Sequence, residues 1–137
     1  MAAVVGLAAF TACSDDDDPV NVNDLPVNVK AFVATYFPAS QIVDSQLDGD
    51  EYEVTLSNGT QIDFNLSGEW TDVDAPLGQS VPTGFYPPEI DNYLALNMPG
   101  AAINEISREP QGYDVELVNG TEMIFGFDGS FLGYDPF

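Results

Sequence analysis

A chain of 137 residues with 45% apolar and 12% aromatic residues can bury a core, which excludes a wholly disordered protein. Against 23 acidic residues stand only Lys30 and Arg108, a formal net charge of −21. Nucleic acid and anionic membrane surfaces are therefore excluded as direct electrostatic partners, whereas a basic protein, a cation or simple solubility fits.

No histidine is present, which removes the usual general base and the commonest metal ligand. The single Cys13 excludes an intramolecular disulfide. Residues 1–12, MAAVVGLAAFTA, are small and apolar, too short to span a bilayer, and end directly at Cys13. This segment resembles the end of a bacterial lipoprotein signal peptide, with Ala12 as the small residue before the acylated cysteine. Ser14-Asp15-Asp16-Asp17-Asp18 then reads as part of a hydrated acidic tether over 13–24. An acidic run at this place also resembles the surface-export signal of Bacteroides-group lipoproteins. The resemblance implies an outer-membrane lipoprotein held by acyl chains on Cys13 and exposed at the cell surface.

From residue 25 the spacing predicts a helix. Val29, Phe32, Val33, Tyr36 and Phe37 form one apolar stripe, Asp24 sits where an N-cap belongs, Pro26 suits the first turn and Pro38 ends it. Four strands follow, at roughly 41–47, 51–57, 60–66 and 69–74, separated by Asp48-Gly49-Asp50, Asn58-Gly59 and Ser67-Gly68. Tyr52, Val54 and Leu56 alternate with Glu51, Glu53 and Thr55, and Ile62, Phe64 and Leu66 with Gln61, Asp63 and Asn65, so one sheet face is buried and one is wet. Asn58-Gly59 predicts a type I′ hairpin turn. The Asn58-Gly59-Thr60 and Asn119-Gly120-Thr121 triplets also match a glycosylation acceptor, but the hairpin accounts for both.

The pattern then recurs. Shifted by 61 positions, Pro26 falls on Pro87, Pro38 on Pro99, Tyr52 on Tyr113, Val54 on Val115, Leu56 on Leu117, Phe64 on Phe125 and Gly68 on Gly129. Ile90, Tyr93, Leu94 and Met98 form the second helical stripe, and Met123, Phe125 and Phe127 the later alternation. The expected fold is α+β: two tandem repeats, each one helix followed by an antiparallel four-stranded meander, with the helices packed on one sheet face. The copies span 25–74 and 86–137, joined by a linker at 75–85.

No nucleophile–base set, phosphate loop or metal constellation stands out in the sequence, so neither an enzyme nor a cofactor is expected. Asp48-Gly49-Asp50-Glu51 has oxygens for a calcium ion, but a turn is the simpler account, since the matching stretch is Pro110-Gln111-Gly112. What remains is the wet sheet face. Glu51, Glu53, Asp63, Asp114 and Glu116 are expected to point away from the helices. If Trp70 and Phe131 share that face they supply aromatic anchors within an acidic rim; if not, they belong to the core.

The helix ending in Tyr36-Phe37-Pro38, the run Tyr52-Glu53-Val54-Thr55-Leu56-Ser57-Asn58-Gly59, then Ile62-Asp63-Phe64 and Gly68-Glu69-Trp70 resemble the PepSY-like family. So do Tyr113-Asp114-Val115-Glu116-Leu117, Phe125 and Gly129-Ser130-Phe131-Leu132. That family is described as "putative beta-lactamase-inhibitor-like", and the resemblance covers about residues 22–137. It implies a fold of helix-plus-sheet units like the beta-lactamase inhibitor protein. The expectation is a non-catalytic envelope lipoprotein that binds a protein, either a basic partner or an extracellular enzyme that it inhibits. The alternative is a structural or accessory envelope lipoprotein without inhibitory activity.

Overall fold

The computed structural model describes residues 17–135. The lipidation expected at Cys13 lies outside the described residues. The described chain forms a single antiparallel sheet of nine strands and two ten-residue α-helices. In chain order these are β1 (Asp17–Pro19), a 3-10 turn (Val22–Asp24), α1 (Val27–Tyr36), β2 (Ile42–Asp48), β3 (Glu51–Leu56), β4 (Gln61–Asn65) and β5 (Trp70–Asp74). Then come α2 (Pro88–Asn97), β6 (Ile103–Glu109), β7 (Gly112–Leu117), β8 (Glu122–Phe125) and β9 (Phe131–Tyr134). Spatial order follows sequence order, from β1 at one edge to β9 at the other.

The expectation of an α+β pair of tandem repeats, each with its own four-stranded meander, is thereby corrected. The architecture is one continuous sheet, and the structure is predominantly β. The physical reason lies at its middle. β5 pairs with β6 through Asp72–Ser107, Val73–Ile106 and Asp74–Glu105, so neither strand ends a sheet. Leaving both edges open would have exposed two rows of unpaired backbone groups. A further strand, β1, pairs its Asp18 with Leu47 and covers the outer side of β2.

The helices form where the apolar stripes are, but their caps differ. α1 begins at Val27 with Pro26 as its N-cap, which offers no side-chain bond. Asp24 instead ends the 3-10 turn, capped by Asn21, whose Oδ1 accepts from the Asn23 amide at 2.9 Å. Val29 and Val33 of α1 and Ile90 and Leu94 of α2 are buried. They pack on a row of inward sheet residues, Val54, Ile62, Val73, Ile106, Val115 and Met123, each 1% exposed or less. Phe32 of α1 meets Phe64 edge-on at 5.5 Å, and Tyr93 of α2 meets Phe125 at 5.6 Å. Both helices thus cover the same sheet face.

The strand alternation stops sooner than the hydropathy pattern. β4 ends at Asn65 and β8 at Phe125, so Leu66 and Phe127 are exposed rather than inward. The Asn58-Gly59 hairpin is not the two-residue turn the sequence predicts. Gly59 N donates to Leu56 O, Leu56 N donates to Thr60 O, and Gly59 takes φ 93°. That is a three-residue loop ending in a left-handed glycine, which matches the strand twist equally well. The same bonds recur at Leu117, Gly120 and Thr121.

Candidate functional site

Strand alternation sends every strand residue that is not inward to the opposite face, which no helix covers among the described residues. Cross-strand register assembles these residues into two carboxylate-rich rows. One runs Gln46, Glu53, Asp63, Asp72, Ser107 and Asp114; the other runs Asp44, Thr55, Gln61, Asp74, Glu105, Glu116 and Glu122. Glu53 lies directly opposite Asp63, Asp63 opposite Asp72, Asp74 opposite Glu105 and Glu105 opposite Glu116. Directly opposed like charges repel, so this face is electrostatically loaded.

Glu53, Asp63, Asp114 and Glu116 therefore stand together. Glu51 shares their face, at its margin, and its Oε2 accepts from Thr71 Oγ1 at 2.9 Å. Trp70 and Phe131 do not join them, which corrects their place on a candidate binding face. Trp70 is buried on the helix side, stacked on Tyr113 at 5.9 Å and edge-on to Phe85 at 5.1 Å, with Arg108 4.5 Å above its ring. Phe131 is partly buried and stacks on Tyr93 of α2 at 4.6 Å. Both are held inward by β-bulges: Thr71 is the extra residue between the Asp63–Asp72 and Phe64–Trp70 pairs, and Leu132 the extra residue between Phe125–Phe131 and Ile124–Gly133.

The centre of the face was not legible in the sequence. Asp72 and Asp74 on β5 and Glu105 on β6 flank the inward Val73 and Ile106, and alternation alone turns them outward. Their meeting depends on the β5–β6 pairing. Burial pushes Asp72 up to about 9, reinforced by its hydrogen bond with Glu105 and by the charges of Glu105, Asp63 and Asp74. One of its oxygens, Oδ1, is buried without a hydrogen-bond partner. The raised value favours the protonated form of Asp72, whose O–H donates a hydrogen bond to the Glu105 carboxylate, so no bare charge is left at Asp72 in a desolvated place. Burial, then the charges of Glu51, Asp48, Glu105 and Asp74, push Asp63 up to about 6. Asp74, Glu105 and Asp114 are raised too, in each case by burial first.

Two hollows mark this face. The first, about 230 Å³, is lined by residues of β2, β3 and β4 that include Asp44, Glu53 and Asp63. The second, about 140 Å³, is lined by residues of β6, β7 and β8 that include Glu105, Asp114, Glu116 and Glu122. A larger groove of about 630 Å³ lies elsewhere, between Asn97–Ala102 and Leu117–Asn119, and no charged side chain lines it.

A family model described as "Putative beta-lactamase-inhibitor-like, PepSY-like" matches residues 13–58 and 50–133. The chain belongs to the PepSY-like family. Three crystal structures of Bacteroides proteins are similar to this PepSY-like chain over most of its length. One from Bacteroides thetaiotaomicron, described as a "putative calcium-regulated periplasmic protein", is 31% identical with a TM-score of 0.80, covering 88% of this chain and 97% of its own. One from Bacteroides vulgatus, described as a "putative periplasmic protein of unknown function", is 31% identical with a TM-score of 0.81, covering 87% and 98%. A second from Bacteroides vulgatus, also described as a "putative periplasmic protein", is 32% identical with a TM-score of 0.81, covering 90% and 99%. None of the curated proteins is matched by the chain.

Proposed function

We propose that this PepSY-like chain is a non-catalytic lipoprotein of the cell envelope that acts as a protein-binding module, with the helix-free sheet face as its binding surface. The observation that carries the reading is the gathering of Glu53, Asp63, Asp114, Glu116 and their neighbours on the sheet face opposite the two helices. A sheet face of this size and sign attracts a basic protein surface, through long-range steering as well as contact. The family description supports a binding role, and the periplasmic description of the similar Bacteroides structures supports the envelope. Anchoring through acylated Cys13, outward exposure and inhibition of an extracellular enzyme are the finer parts of the proposal.

The test is capture from the solubilised envelope and secreted fraction of the source organism, using the full chain immobilised. It is run beside a variant carrying Glu53→Gln, Asp63→Asn, Asp114→Asn and Glu116→Gln. Both are run in chelator and in added calcium, because one similar structure is described as calcium-regulated. One saturable basic partner, retained by the parent and lost from the variant, is the expected result, and that partner is then assayed for inhibition. Equal retention by both proteins, or nothing retained beyond what salt washes off, would transfer the weight to a structural or accessory lipoprotein.

A further inference from the structure

The two hollows are not independent features. Their lining residues differ by 61 positions: Asp44 and Glu105, Glu53 and Asp114, Thr55 and Glu116, Gln61 and Glu122. Each is bordered by a β-bulge at the same offset, between Ile42 and Asp44 in β2 and between Ile103 and Glu105 in β6. A bulge bends its strand and sharpens the local twist, which accounts for a concavity at each place. β3 is the middle strand of the first hollow and β7 of the second, and four strand spacings separate them. At roughly 4.8 Å per spacing, their centres stand about 19 Å apart.

We infer that the two hollows act as a pair and take one basic polypeptide segment that crosses the strands and places a cationic group in each, about 19 Å apart. The inference rests on the proposal that the helix-free face is the binding surface, and it specifies the partner's chemistry. Charge complementarity selects the occupant: carboxylates line both hollows, so arginine or lysine side chains fit and anionic ones are repelled. Between the hollows lies β5, the central strand of the sheet, where Asp72 keeps its proton at neutral pH. Asp74 is the remaining β5 carboxylate there, against three carboxylates lining the first hollow and five lining the second, and a segment cationic at two points matches that distribution better than a uniformly basic one.

A rigid molecular ruler tests the spacing. Capped peptides carry a pair of arginines at each end, separated by two, six or ten prolines; at about 3.1 Å per residue, six prolines span about 19 Å. Each is titrated calorimetrically into the full chain near neutral pH at low salt. The six-proline peptide is expected to bind one-to-one and at least about tenfold tighter than the other two. Removing two charges from either hollow, with Asp44→Asn and Glu53→Gln or with Asp114→Asn and Glu116→Gln, is expected to move the affinity of that peptide toward that of the short one. These substitutions remove charge without changing size, so folding is kept and is checked by circular dichroism. Affinities that agree within about twofold across the three spacers overturn the paired-hollow inference while leaving a basic-partner face standing. Failure of every peptide to bind overturns both.

Discussion

At Gly68 the backbone turns from β4 into β5 directly beneath α1. Its φ is 84°, a region that side chains rarely enter, and a Cβ there would overlap the Asn28 side chain. The Asn28 amide uses that closeness: its Nδ2 donates to Ser67 O at 2.8 Å and ties the helix to the turn. Gly68→Ala is therefore expected to cost about 2 kcal/mol in denaturant unfolding. A loss below a few tenths would mean that the turn and Asn28 relax freely. Residue-scale reading of the sequence worked where alternation is unbroken, as at Tyr52-Glu53-Val54-Thr55-Leu56. It left Trp70 and Phe131 open between face and core because each lies beside an extra residue, Thr71 or Leu132, that shifts the inward–outward parity. Nothing in the local hydropathy marks such a residue.

At the scale of elements, the join between β5 and β6 carries the sharpest consequence. Asp72 takes up a proton on folding that the unfolded chain releases at its ordinary carboxylate value, 3.8, because its folded value is pushed up to about 9. The associated stability is full below the lower value and is lost as pH rises through the upper one. Stability is thus expected to fall between pH about 4 and pH about 9, with Asp63 contributing in the lower part of that window. Asp72→Asn keeps an N–H donor for Glu105 and removes the titration. It is expected to match the parent near pH 4, exceed it by several degrees in Tm near pH 9, and flatten the slope between. An unchanged slope would show that the Asp72–Glu105 pair does not store the proton. The presence and order of β3, β4 and both helices were legible from alternation and stripe, although their ends were not. The pairing of β5 with β6 was not, nor was the docking of the linker, where buried Asn104 donates through Nδ2 to the carbonyls of Ala75, Pro76 and Gln79.

The whole molecule combines one sheet, one buried cluster reaching from Leu25 to Phe125, and a net charge of −21. A core shared by both helices predicts a single cooperative unfolding transition by circular dichroism and by tryptophan fluorescence. Self-repulsion predicts that the Tm of that transition rises between low and moderate salt, as the screening length shortens. Two separate transitions would argue against a shared core, and a salt-independent Tm would show that repulsion does not limit stability. The sequence by itself determined the acidity, the helical stripes, the alternation of most strands and the family. Each of these is local or compositional: a period of two or of 3.6 can be read along the covalent chain. Tertiary structure alone decided that the strands join in one nine-stranded sheet, that Trp70 and Phe131 turn inward, and that Asp72 comes to lie beside Asp63 of one hollow and Glu105 of the other. Those outcomes depend on pairing between segments some thirty residues apart, such as Asp72 with Ser107. They depend also on bulges that change side-chain parity without changing hydropathy.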